Sequence, residues 1–161
     1  MRWYIKLFNR LFAYLIKFME EQKTIPIFTP FKLGDLELPH RVICTSLTRQ
    51  RCDPATGVPN DMLVEYYSKR GGDAAMVLTE CSSIRPDGNS FPGSGGIYSD
   101  AQVEGWKKVT DAVHAKGGYI FHQIWHGGRA SHPDFLGGEI PISSSPIAIK
   151  GTVYTQNGKV L

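Results

Sequence analysis

Gln123 stands inside an apolar run, Tyr119-Ile-Phe-His-Gln-Ile-Trp125, which leads into His126-Gly-Gly-Arg129. The run is rich in aromatic and β-branched residues, which suit a pleated, packed strand. Side chains alternate along a strand, so Phe121, Gln123 and Trp125 share one face and His122, Ile124 and His126 the other. A primary amide at the end of an apolar strand needs hydrogen-bond partners. A neighbouring backbone could supply them. So could a flat heterocycle that places a donor and an acceptor side by side.

Other chemistry is weaker. His122 and His126 have the two-histidine spacing of a zinc-protease helix, but Gln123 replaces the glutamate of H-E-x-x-H and the run prefers a strand. No metal site is expected. His114 and His132 read as surface or structural groups, and His126 as a residue that holds the following loop, since neither a paired carboxylate nor a nucleophile accompanies it. Arg49 and Arg129 read as structural, for example bracing Glu80. Cys44, Cys52 and Cys81 are odd in number and form no C-x-x-C. That implies a reducing, intracellular setting without structural disulfides. Cys81 reads as a buried thiol rather than a reactive one.

The elements that must position these groups alternate. Phe31-Lys-Leu33 and Leu36-Glu-Leu38 flank Gly34-Asp35, a hairpin signal. Arg41–Ser46 reads as a buried strand, and residues 47–60 as a polar loop. Asn60 caps a helix to about Arg70, ended by Gly71-Gly72. Ala74–Cys81 is a second apolar strand, followed by a long Gly- and Pro-containing loop, Ser82–Tyr98. Ser99 and Gln102 form a capping box. The helix they open carries Val103, Trp106, Val109 and Val113 on one face and closes at Gly117-Gly118. Strands alternating with helices imply a parallel α/β sheet, whose sites lie past the strand C-termini. Polar residues gather there: Ser46 and Thr48, Glu80 to Ser82, and Gln123 to Arg129. Neither G-x-G-x-x-G nor a P-loop occurs, which favours a barrel over a dinucleotide fold.

The chain has 161 residues, 42% of them hydrophobic, enough for one domain with a core. Residues 1–23 hold five basic side chains against Glu20 and Glu21, and so carry the whole formal charge of +3. A neutral body offers no nucleic-acid footprint. Residues 1–23 read as an amphipathic helix with a wide apolar face, broken by Lys6 and Arg10, which argues against a spanning segment. Residues 2–19 could lie on a membrane surface, direct the chain to an organelle, or pack on the body or another chain. Otherwise a cytoplasmic setting is expected.

The body, residues 24–161, resembles the Old Yellow Enzyme family of FMN-dependent NAD(P)H:flavin oxidoreductases, or ene-reductases. The resemblance rests on Leu33-Gly-Asp-Leu36, Ser46-Leu-Thr-Arg49, Gly57-Val-Pro-Asn60, Leu78-Thr-Glu80, Gly96-Ile-Tyr-Ser-Asp100, Gly105–His114, Gln123–Arg129 and Ser131-His-Pro133. It implies a (β/α)8 barrel closed at its base by an N-terminal hairpin, of which this chain supplies the hairpin and the first three β/α units. It implies hydride transfer from NAD(P)H to FMN, then to an activated alkene or quinone. By the family pattern Thr48 hydrogen-bonds the flavin carbonyl near N5, Gln123 meets the pyrimidine edge, and Ser46, Leu47 and Cys81 lie against the ring, the first and last mainly through backbone. Trp125 lines the substrate pocket. Ser46 stands where the family usually has Pro, and Cys81 where it commonly has Ala or Gly. The family's substrate-binding His-x-x-Asn or His-x-x-His pair, its tyrosine proton donor and its phosphate grip have no counterpart in residues 1–161. An alternative therefore stands beside the enzyme: a catalytically incompetent truncated paralogue or an incomplete gene model, acting, if at all, as an interaction or membrane-associated fragment and prone to self-association.

Overall fold

The computed structural model describes residues 11–18, 25–155 and 157–160. Two compact units divide the chain, Met1–Val42 and Ile43–Leu161.

In the first unit residues 11–18 are helical (α1), and all eight are exposed. The rest of the amphipathic stretch expected over 1–23 lies outside the described residues. Among the described residues no helix is long and apolar enough to cross a membrane. Strands β1 (Phe31–Leu33) and β2 (Leu36–Leu38) pair antiparallel with Leu33 opposite Leu36. Gly34-Asp35 is thus a two-residue turn. Gly34 supplies the positive φ, 59°, that such turns demand.

The second unit is a parallel sheet with two helices. Strand β4 (Met76–Ser83) is central. It pairs with β3 (Ile43–Cys44) through Ile43–Met76 and Cys44–Val77, and with β6 (Tyr119–Trp125) from Met76–Tyr119 to Ser83–Trp125. A short strand, β5 (Gly95–Gly96), pairs with Ser82 and Ser83. The strand expected over Arg41–Ser46 is only two residues long, so Ser46 and Thr48 sit on a loop. Helix α2 (Asp61–Gly71) starts at Asn60, whose side chain accepts from Leu63 N. Helix α3 (Asp100–His114) starts at the Ser99–Gln102 capping box.

Leu63 and Tyr67 of α2, Val77 of β4, and Trp106, Val109 and Val113 of α3 form one buried cluster with Cys52. Each such large apolar side chain contributes roughly 1.5–3 kcal/mol by burial. Val103 does not join it: it is 45% exposed, and Gln102 and Gly105 are buried in its place. The reason is the cap. Gln102 turns inward to accept from Tyr98 N and Ser99 N and to donate to Thr56 O, which rotates Val103 outward. Two glycines let the end of α2 lie close against α3 and the start of β6. A Cβ on Gly118 would lie 1.9 Å from Gly71 O, and one on Gly71 would lie 2.9 Å from Val113 Cγ1. The last hairpin, β7 (Val153–Thr155) and β8 (Gly158–Val160), is antiparallel.

Candidate functional site

The β4–β6 ladder carries one irregularity. Leu78 pairs with Phe121, yet Cys81 pairs with Gln123, so β4 holds one residue more than β6 over that span. This is a β-bulge, which locally interrupts backbone pairing and re-aims side chains. A side chain replaces the missing ladder bond: Gln123 N–H donates to Thr79 Oγ1 at 3.0 Å. Thr79 is wholly buried and also lies 3.3 Å from His122 Nδ1. The other edge of the His122 ring packs on Trp106, centroids 4.6 Å apart. Burial lowers the His122 pKa, so its ring is neutral at pH 7.

Past the bulge the predicted residues meet. Ser46 Oγ lies 2.6 Å from the Thr79 carbonyl oxygen and 2.7 Å from the Gln123 carboxamide oxygen. A hydroxyl has one hydrogen, and a carbonyl can only accept, so both oxygens cannot be served at once. The arrangement balances when the Gln123 amide is turned over. Ser46 then donates to Thr79 O, Gln123 Nε2 donates to Ser46 Oγ, and Gln123 Oε1 faces away from Ser46. Nitrogen and oxygen of an amide are nearly the same size, so the turn costs no space. Gln123 itself is exposed. One residue pair away, Thr48 Oγ1 lies 3.4 Å from Cys81 Sγ. Thr48 is exposed and Cys81 buried. Leu47, between Ser46 and Thr48, is 57% exposed. Trp125 is half-buried at the end of β6, its ring 6.2 Å from that of Phe91. Ser46, Thr48, Cys81 and Gln123 thus stand within one rim at the C-terminal ends of β3, β4 and β6.

The rim is braced from below by Glu80, which is 0% exposed. Its Oε2 accepts from Arg49 N at 2.8 Å and Gln50 N at 3.3 Å, while its Oε1 is buried without a partner. Burial raises the Glu80 pKa, and the two N–H donors oppose the rise. The link to Arg49 runs through the backbone. The Arg49 guanidinium instead lies over the Tyr66 ring, 4.6 Å from its centroid. Burial also pushes the Cys52 thiol up to about 12, with Glu80 and Asp53 adding to it. That thiol is inert at neutral pH.

His126 holds the loop, as its context suggests. Its Nδ1 accepts from Gly128 N at 3.0 Å and its Nε2 lies 3.7 Å from Asp87 Oδ1. Asp87 in turn takes both Arg85 Nε and Nη2 at 2.9 Å. His122 and His126 therefore address different neighbours. Arg129 reaches the Ile147 carbonyl at 3.5 Å. Residues between 129 and 153 line a separate open cleft of about 620 Å³, among them Arg129, His132 and Ser143 to Ser145. Two site residues escape a reading of the sequence, Thr79 as the hub of the bulge and Glu80 as a backbone acceptor. A threonine and a glutamate ending an apolar strand are the available signals.

The profile of the NADH:flavin oxidoreductase / NADH oxidase family matches residues 26–156. Flavin oxidoreductase hxnT of Emericella nidulans is 44% identical over 135 residues, 82% of this chain and 35% of the relative. 12-Oxophytodienoate reductase 7 of Oryza sativa is 41% identical over 142 residues, 86% of this chain and 36% of the relative. Among solved structures, the Old Yellow Enzyme homologue from Zymomonas mobilis superposes with a TM-score of 0.78 at 36% identity, over 83% of this chain and 37% of its own. The chain thus spans about a third of the length of the relatives it matches.

Proposed function

The chain belongs to the NADH:flavin oxidoreductase / NADH oxidase family, and from that premise we propose that its rim receives the pyrimidine edge of FMN. Its fold is the N-terminal part of the family's β/α barrel. The observation that carries the reading is the convergence of Ser46, Thr48, Cys81 and Gln123, drawn from the loop after β3 and from β4 and β6, at one sheet end.

The groups fit that ligand. A pyrimidine edge alternates carbonyl acceptors with a ring N–H donor. Gln123 exposes a carboxamide that can both give and take, and Thr48 exposes a hydroxyl on the same rim, against Cys81. Gln123 would bind and orient the edge, with Ser46 holding the amide. Thr48 would donate to a ring carbonyl, and donors aimed there favour a reduced, negatively charged ring. Leu47 and Trp125 would shield the site from water. FMN, once bound, would carry hydride from NAD(P)H to an activated alkene or quinone. The family's substrate-binding histidine pair has no counterpart among residues 1–161, and residues 1–161 alone should bind FMN and oxidise NAD(P)H slowly at best.

Purification with added FMN tests the reading. The expected result is flavin absorbance that survives desalting and quenched flavin fluorescence, both lost in Gln123→Leu. A colourless wild-type chain would remove the flavin assignment.

A second reading concerns association. Among the described residues β6 has a strand neighbour only in β4, and Phe121 and Ile124 are 46% and 68% exposed. An open edge beside apolar side chains pairs readily with another chain. Sedimentation velocity should show oligomers that grow with concentration. The exposed apolar side chains of α1, among them Leu11, Leu15 and Phe18, support contact with a membrane surface. Vesicle flotation of the full chain against one lacking residues 1–23 tests that contact.

A further inference from the structure

We propose that Glu80 is the positioning residue of the rim: its buried carboxylate, acting through the backbone N–H groups of Arg49 and Gln50, fixes the turn that presents Thr48. The proposal rests on the reading of Thr48 as a flavin contact, and deepens it.

Four observations meet here. First, Glu80 Oε2 binds both N–H groups that directly follow Thr48. Second, Gln50 adopts φ 54°, a left-handed conformation that a side chain with a Cβ disfavours. Such a conformation persists only where its surroundings over-determine it. Third, the far side of the turn is held as well. Cys52 N–H donates to Gly93 O at 3.1 Å, and Gly93 approaches so closely that a Cβ there would lie 3.0 Å from Gln50 O. Fourth, Glu80 is itself anchored, its N–H donating to Tyr67 OH at 2.7 Å. A continuous set of contacts therefore runs from α2 through Tyr67 and Glu80 to the Arg49-Gln50 turn, and so to Thr48.

Core packing does not account for this carboxylate. Burying it with one oxygen unpartnered costs stability, and an apolar residue of similar size would avoid the cost. What a Glu offers is one acceptor atom reached by two adjacent backbone donors. Arg49 supplies no competing explanation, because its guanidinium is engaged over Tyr66.

The test uses the isotopically labelled full chain. A scalar coupling across the hydrogen bond should join the Arg49 amide nitrogen to the Glu80 carboxyl carbon, and the three-bond couplings of Thr48 should report a single rotamer. In Glu80→Ala, amide exchange at Arg49 and Gln50 should quicken roughly ten- to a hundredfold. The Thr48 rotamer should then average, while amides of the β4–β6 ladder keep their protection. Glu80→Gln, whose amide oxygen can accept the same two bonds, should restore both signatures. Absence of the coupling overturns the proposal, as does unchanged exchange in Glu80→Ala or a quickening spread evenly over the sheet. If Glu80→Ala does not fold, the wild-type coupling and the Glu80→Gln rotamer decide. FMN uptake is scored separately: a chain that shows these couplings and binds no FMN loses the flavin assignment and keeps the role of Glu80.

Discussion

The Ser46 hydroxyl and the Gln123 carboxamide, 77 residues apart, touch at 2.7 Å, and the Thr79 carbonyl 2.6 Å from the same hydroxyl decides which amide atom makes the contact. The amide orientation is therefore a property of this chain's own residues.

Ser46→Ala should free that amide. The Gln123 side-chain NH2 resonances should shift and exchange faster with solvent. Affinity for FMN should fall about two- to tenfold, the scale of one neutral hydrogen bond. Unchanged side-chain resonances would mean that the contact does not form in solution.

Gln123→Leu separates binding from folding. The bond that closes the bulge uses Gln123 N–H, not its side chain, so the circular dichroism spectrum should be retained. Two amide bonds to the flavin would be lost, weakening FMN roughly ten- to a hundredfold in a fluorescence titration. Equal affinity in the two proteins would place the flavin elsewhere.

Thr48 Oγ1 and Cys81 Sγ are hydrogen-bond partners at 3.4 Å, which ties the hydroxyl to the thiol. Cys81→Ala should release the Thr48 hydroxyl toward the flavin. The midpoint potential should rise by roughly 10–30 mV for a two-electron couple, if about one neutral hydrogen bond is gained. Spectroelectrochemistry of the flavin-loaded protein gives the sign directly, and a fall would reverse the inference.

Glu80 predicts an unusual pH dependence of stability. Its folded pKa is raised, chiefly by burial, with Arg49 and its neighbours' N–H groups opposing. The folded state therefore holds a proton more tightly than the unfolded state. Its contribution to stability is full below the ordinary glutamate range, near pH 4.3, and is lost as pH rises through the folded value. Glu80→Gln should be more stable than wild type at pH 7–8, with the gap closing as pH approaches about 4. Urea midpoints across that range measure it. Arg49, Cys52 and Tyr67 are the titratable neighbours, and neither Cys52 nor Tyr67, whose pKa values are both raised, changes charge in that window.

Gly118→Ala addresses packing alone. Its Cβ would fall 1.9 Å from Gly71 O, backbone against backbone, which no side-chain rotation relieves. Thermal or urea unfolding should show a loss of about 1–3 kcal/mol. A neutral substitution would show that α2 and the start of β6 are not so close.

The parts of the fold legible in the sequence are those fixed by neighbours along the chain. Gly34-Asp35 makes a turn, Asn60 makes a cap, and Ser99 with Gln102 makes a capping box, because each acts over two to three residues. The hairpin β7–β8 likewise turns between the paired residues Thr155 and Gly158, and Gly158 supplies a positive φ of 104°. The flavin-facing candidates are legible as strand-end polar residues, and Ser46, Thr48, Cys81 and Gln123 do converge. Their contacts are not legible. Thr79 and Glu80 act across a sheet whose register shifts by one residue, and no local pattern announces which strand will hold the surplus. Val103 departs from expectation for a related reason: a periodic apolar face cannot reveal that Gln102 will be drawn inward by Tyr98, Ser99 and Thr56.

The bulge between Leu78 and Cys81 makes chain length at that point more consequential than chemistry. Replacing Cys81 by another small residue changes one contact. Removing a residue between Leu78 and Cys81 would let the ladder zip without interruption, return Gln123 N–H from the Thr79 hydroxyl to a backbone acceptor, and remove or shift the carboxylate that holds Arg49 N–H. For anyone redesigning this rim, substitutions there are adjustments, whereas a single-codon deletion would re-thread the sheet.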